Sequence, residues 1–136
     1  MTPRGAVTLR IAGQEVRITG GPFDAMPPGA AGLCLEPAAA RVAEALWRLD
    51  IPDFGVPDAD ALRTVLAQML DAMRAAPAGA YHIGCRAGIG RTGLALACLA
   101  SMAGVAGDPV EWVRANYHPE AVETAAQEAF TRGFRA

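Results

Sequence analysis

The chain has 136 residues, 52% of them hydrophobic and 19% charged, with a formal net charge of −2 and no lysine. That length suits one domain around one core, and the slight negative balance excludes a global pull towards nucleic acid or an anionic membrane surface. Three cysteines without a secretory pattern point to free thiols in a reducing, cytoplasmic setting. The opening MTPRGAV has no apolar core of a signal peptide, and no run reaches the roughly 18–20 apolar residues that span a bilayer.

The first elements read as strands. Val7, Leu9 and Ile11 alternate with polar positions, as do Val16 and Ile18, and Gly13-Gln14 lies between the runs. This pattern predicts a β-hairpin. Gly20 to Gly32 is rich in Gly and Pro and reads as a loop, with Asp24 as a turn residue. Gly32-Leu33-Cys34-Leu35 reads as a buried parallel strand in which Cys34 is a small core residue. A short alanine-rich helix is expected from about Pro37. Trp47 to Ile51 reads as a further strand.

A loop follows from Asp50 to Asp58, broken by Pro52, Gly55 and Pro57 and carrying three carboxylates, Asp50, Asp53 and Asp58. Any of the three is placed to act as a general acid, although Asp58 also suits the N-cap of the next helix. Ala59 to Ala76 is the clearest helix. Leu62, Val65, Leu66, Met69, Leu70 and Met73 fall at helical spacing, with Asp60, Arg63 and Asp71 on other faces. Pro77 and Gly79 end it.

The stretch from Ala80 to Gly93 carries the chemistry. A strand over Ala80–Gly84 leads into a glycine-rich loop, and an apolar helix runs from Arg91 to Ala103 with Cys98 inert inside it and Gly104 as its stop. A tight loop at a helix N-terminus turns backbone N–H groups inward and makes an anion nest. Gly88 and Gly90 allow the dihedrals this requires. Arg91 adds a planar fork of donors that matches two oxygens of a phosphate. The same positive field favours the thiolate of Cys85, the nucleophilic form. The Gly-Lys-Ser/Thr ending of a Walker A loop is absent.

Asp108-Pro109-Val110-Glu111 opens a further helix, with Asp108 as cap. Trp112 is expected in the core and Arg114 in solvent. Pro119 is expected to open the last helix.

Cys85-Arg86-Ala87-Gly88-Ile89-Gly90-Arg91-Thr92-Gly93 resembles the signature of the cysteine-dependent protein tyrosine and dual-specificity phosphatases, Cys-x5-Arg-Ser/Thr. The upstream Ile51-Pro52-Asp53-Phe54-Gly55-Val56-Pro57 is similar to the acid loop of small dual-specificity members, with Asp53 at the acid's position. Glu123-Thr124-Ala125-Ala126-Gln127 to Phe130 resembles the Gln-Thr-x-x-Gln-x-x-Phe segment whose glutamines place the hydrolytic water. Gln127 matches the second glutamine, and Glu123 stands at the first. The order of these three features excludes the low-molecular-weight phosphatases, which begin with the nucleophile loop. One position departs: Gly84 precedes the cysteine where the family usually has His. His82 is expected to be structural, since on a strand it faces away from Cys85.

The resemblance implies a phosphomonoester hydrolase, a tyrosine or dual-specificity phosphatase working through a cysteinyl-phosphate. Cys85 is then the nucleophile, Asp53 the acid and later the base, and Arg91 the phosphate clamp. Thr92 supports the departing thiolate. The amides of Arg86, Ala87, Gly88, Ile89 and Gly90 cradle the phosphate, and Gln127 takes part in substrate binding. Arg86 without a basic residue at Ile89 argues against inositol lipids. The substrate is a phosphorylated protein or a small phosphate ester. No metal or cofactor is needed, no nucleic-acid or membrane partner is implied, and a monomer is expected. Two rivals remain, a pseudophosphatase that binds phosphate without turnover and a rhodanese-like sulfur transferase.

The expected fold is a single α/β domain over 1–136, with a catalytic core at about 31–134. A mostly parallel sheet of about four to five strands carries helices on both faces. A phosphatase-like P-loop joins one of its strands to a buried helix.

Overall fold

The computed structural model describes residues 1–136. Five strands form one sheet: β1 (Gly5–Ile11), β2 (Gln14–Pro22), β3 (Ala31–Cys34), β4 (Trp47–Arg48) and β5 (Tyr81–Cys85), in the spatial order β1-β2-β5-β3-β4. The β1–β2 hairpin is antiparallel, and every other pairing is parallel. Ala12 and Gly13 both take positive φ, 51° and 80°, and so close the hairpin in the turn geometry that suits the sheet's twist.

Four helices follow the pattern of the apolar residues. They are α1 (Ala59–Ala75), α2 (Gly90–Met102), α3 (Pro109–Asn116) and α4 (Ala125–Gly133). In α1 the buried residues are Leu62, Val65, Leu66, Met69, Leu70 and Met73, and Asp58 caps it by accepting the N–H of Ala61 at 2.9 Å. Tyr81 closes its other end, its hydroxyl donating to the carbonyls of Ala72 and Ala76. In α2 every residue from Gly90 to Ala100 is buried, as its apolarity on all sides requires. Asp108 caps α3 through the N–H groups of Val110 and Glu111.

The α-helices gather on one face of the sheet. Val16, Ile18, Leu33, Ile83 and Cys85 point to that side, and their core includes residues of α1, α2 and α3, with Trp112 and Phe130 packed against it. The other face carries a small cluster of Phe23, Met26 and Cys34, covered by the single-turn 3-10 helices Phe23–Ala25 and Val42–Glu44. The sequence predicts helices on both faces; the α-helices occupy one face only, and the other carries these short turns.

Four further expectations are corrected. The helix expected from about Pro37 does not form. Glu36 takes the N–H of Ala38, and Asp24 takes those of Ala40 and Arg41, so side-chain acceptors hold the backbone in turns. The strand expected to Ile51 is regular only over Trp47–Arg48; beyond it the N–H groups of Leu49 and Ile51 still donate to the carbonyls of Cys34 and Leu35, at 3.0 and 3.4 Å, and Pro52 then breaks the run. The last helix opens at Ala125, not at Pro119. Thr124 and Gln127 make a capping box there. Arg114 is only partly exposed. It donates to the carbonyls of Ala121 (2.9 Å) and Val122 (2.7 Å), which holds that stretch in a turn ahead of α4.

Candidate active site

The site is assembled where parallel strands end together. β5 is central, hydrogen-bonded to β2 on one side and β3 on the other, with Cys85 aligned to Pro22 and Gly84 to Cys34. The C-terminal ends of β5, β3 and β4 therefore open on one edge, the usual place for a ligand in an α/β sheet. The loop from Cys85 to Arg91 bridges β5 to the buried α2. Burial on all sides of α2 holds its N-terminus in place.

Cys85 is 3% exposed. Its sulfur accepts two hydrogen bonds, from the Thr92 hydroxyl at 3.1 Å and from the N–H of Gly88 at 3.2 Å. Gly88 has φ +81°, and a Cβ there would lie 2.6 Å from the nitrogen of Pro22. Only glycine fits both demands. Arg86 and Ala87 are exposed at the lip, whereas Gly90 is buried beside the carboxylate of Glu123.

Arg91 is 3% exposed and heavily tied. One terminal nitrogen donates to the carbonyl of Ile51 at 2.8 Å and more distantly to that of Leu35 at 3.4 Å. The other bonds to Glu36 Oε1 at 3.0 Å. Asp53 lies 3.6 Å from the same nitrogen. Three of the guanidinium's five donors are so used, and two are left for an anion. The N–H of Ala38, and then Arg91, hold the Glu36 carboxyl below its ordinary range.

Of the three acid-loop carboxylates, only Asp53 comes within ion-pair distance of Arg91, and its side chain is 55% exposed. Asp58 is occupied as the cap of α1, and Asp50 is exposed. The N-terminus of α4 grips the acid loop: the Gln127 amide donates to the carbonyl of Gly55 at 3.0 Å, and the Thr124 hydroxyl to that of Phe54 at 3.3 Å. Gln127 Oε1 accepts the N–H groups of Glu123 and Thr124. Gln127 is fully buried, so its contacts are with the acid loop and its own helix cap.

His82 is fully buried on the face opposite the α-helices. Its Nδ1 pairs with the Thr19 hydroxyl at 2.8 Å and its Nε2 with the carbonyl of Pro22 at 3.1 Å. Desolvation lowers its pKa. The space beside Gly84 is filled by the backbone of Phe23, whose nitrogen would be 2.6 Å from a Cβ there. A histidine side chain has no room in this packing. The other thiols lie apart from the loop: burial pushes Cys98 up to about 12 and also raises Cys34.

Three residues at the site went unnoticed in the sequence: Glu36, Tyr117 and Arg4. Tyr117 donates its hydroxyl to the carbonyl of Gly88, and Arg4 donates through Nε to that of Ala87. Only Glu36 left a usable signal, as a carboxylate just past the end of an expected parallel strand. No cluster of three or more His, Cys, Asp or Glu side chains is arranged to hold a metal. No helix is long and apolar enough to cross a membrane.

No known protein family matches the sequence, and no curated protein does. Solved structures match in shape. Kinase-associated phosphatase, with its catalytic-site cysteine replaced by serine, aligns at a TM-score of 0.68 and 15% identity over 96% of this chain and 93% of that one. Tk-PTP in its active form aligns at 0.66 and 21% identity, covering 90% and 92%. PTPMT1 aligns at 0.60 and 15% identity, covering 92% and 91%. The chain therefore has the α/β fold of the dual-specificity and protein tyrosine phosphatases.

Proposed function

We propose that this chain is a phosphomonoester hydrolase that works through a cysteinyl-phosphate. The observation that carries the reading is the sulfur of Cys85. It receives the Thr92 hydroxyl and a loop amide, at the mouth of a nest closed by a buried Arg91 that also reaches Asp53.

In the first step the Cys85 thiolate attacks phosphorus and an S–P bond forms. The bond to the leaving oxygen breaks, and Asp53 gives that oxygen its proton. The loop amides from Arg86 to Arg91 and the two remaining Arg91 donors hold the equatorial oxygens where charge accumulates. In the second step water attacks phosphorus, its proton passes to Asp53, and the S–P bond breaks. The Thr92 hydroxyl stabilises the departing thiolate.

The substrate is a phosphorylated protein or a small phosphate ester, and the chain acts as a monomer. The catalytic unit spans about 31–134 within one domain over 1–136. A reactive thiolate suits the reducing cytoplasm. The phosphatase fold favours this chemistry over sulfur transfer.

The test is hydrolysis of p-nitrophenyl phosphate across pH by wild type, Cys85→Ser and Asp53→Asn. Activity is expected to vanish in the serine variant, and the asparagine variant is expected to lose the limb of the profile that depends on a protonated acid. Vanadate binding without turnover in wild type would replace this reading with the pseudophosphatase one, with Gly84 as the first position to examine.

A further inference from the structure

Two successive peptide units of the loop have their carbonyls tied from outside. Ala87 O accepts from Arg4, just ahead of β1, and Gly88 O accepts from Tyr117, the C-cap of α3. A trans peptide points its N–H opposite its carbonyl, and no peptide in this chain is cis. Anchoring the two carbonyls outward therefore aims the N–H groups of Gly88 and Ile89 inward. For Gly88 the result is visible in its bond to the Cys85 sulfur at 3.2 Å.

The seat of Tyr117 is built for it. Gly5 and Gly20 face each other across the β1–β2 hairpin. A Cβ at Gly20 would lie 2.6 Å from the tyrosine ring and 2.8 Å from its oxygen, and one at Gly5 would be 3.4 Å from the ring. Paired glycines in a strand weaken it unless something fills the space they leave. Here the ring fills it. Burial, and then the charge of Cys85, push the Tyr117 hydroxyl's pKa up, so it remains a donor.

We propose that Tyr117 and Arg4 are positioning residues for the anion loop: they hold the carbonyls of Gly88 and Ala87 outward, so that two successive N–H groups face the sulfur and the phosphate. The kinetic part of this inference rests on the phosphatase reading, and the structural part does not.

The experiment compares wild type with Tyr117→Phe, which keeps the ring, and Arg4→Met, which keeps much of the stem. Three quantities are read: orthovanadate affinity, kcat/KM for p-nitrophenyl phosphate, and hydrogen exchange of the peptide covering residues 85–91 against peptides of α1 and β5. Tyr117→Phe is expected to weaken vanadate and lower kcat/KM by roughly 3- to 10-fold, the scale of one lost hydrogen bond. Exchange is expected to rise in the loop peptide alone. Arg4→Met is expected to act in the same direction. Vanadate affinity and loop exchange equal to wild type in both variants would overturn the proposal. So would exchange that rises equally across the protein, which marks general destabilisation. If wild type neither binds vanadate nor turns over, the phosphatase reading fails, and the loop exchange alone still decides the positioning role.

Discussion

Arg91 and Glu36 form an ion pair at 3.0 Å, with side chains only 4% and 15% exposed. The pair joins the start of α2 to the end of β3, and Arg91 also takes the carbonyl of Ile51 at the start of the acid loop. One guanidinium thus links the Cys85 loop, an inner strand and the loop of Asp53. A buried charge of this kind is costly when its partner is removed, because it cannot return to water.

Glu36→Ala is accordingly expected to destabilise the protein by about 2–4 kcal/mol and to weaken oxyanion binding, because the fork loses its anchor. Glu36→Gln keeps a hydrogen-bond acceptor and is expected to recover part of both. The carboxyl's pKa is lowered in the folded state, so its contribution is complete above the ordinary carboxylate value. It is lost as pH falls through the folded one. Urea unfolding of the two variants at neutral and acidic pH checks this: the stability gap between wild type and Glu36→Gln is expected to narrow in acid.

Gly84 tests whether packing alone keeps a side chain out of the position before Cys85. Gly84→Ala places a Cβ 2.6 Å from the nitrogen of Phe23 and 2.9 Å from the carbonyl oxygen of Gly21. Neither is the end of a flexible side chain. The substitution is expected to cost about 1–3 kcal/mol, and Gly84→His more. A histidine variant as stable as wild type in urea, with faster turnover, would show that the site can accept the usual residue.

His82 gives a pH dependence in a different window. Its folded pKa is lowered chiefly by desolvation, so the unfolded chain takes the proton first as pH falls. Stability from this group is complete above its ordinary value of 6.5 and is lost as pH drops towards the folded pKa. The thermal midpoint is expected to fall between neutral and mildly acidic pH, and His82→Gln is expected to flatten that slope. An unchanged slope in the glutamine variant would assign it to other groups.

Gln127 separates helix capping from control of the acid loop. Gln127→Glu keeps an oxygen for the N–H groups of Glu123 and Thr124 but loses the donor to Gly55. The buried carboxylate then faces the Gly55 carbonyl, so the acid-loop contact is expected to be lost at a cost in stability, and the Asp53 loop to loosen. Turnover is then expected to fall several-fold for substrates with poor leaving groups, which depend on the acid, and to change little for activated aryl phosphates. Gln127→Ala loses both sets of contacts without burying a charge and is expected to cost ~1–2 kcal/mol of stability relative to wild type.

How much was legible in advance follows from how local each feature is. The hairpin, α1 and α2 are written in periodicity, and the spacing from Cys85 through Arg91 to Thr92 sits on one strand-loop-helix turn. Such patterns are set by backbone geometry within a few residues, and they carried both the fold class and the candidate loop. Asp53 could be proposed among three carboxylates only by resemblance. Its approach to Arg91, while Asp58 caps α1, is a product of packing. The segment after Pro37 misled because alanine favours helix, whereas Asp24, held 17 residues away in sequence, takes the backbone donor of Arg41.

By itself, then, the sequence determined the sheet-and-helix alternation, the glycine-rich nest, and the thiol and guanidinium that stand at its two ends. Tertiary structure alone decided what holds them. Glu36 meets Arg91 across 55 residues, Tyr117 meets Gly88 across 29, and Arg4 meets Ala87 across 83. No local periodicity encodes such pairs. They exist because parallel strands distant in sequence end at one edge of the sheet, and because buried donors and acceptors there must find partners or lose the folded state.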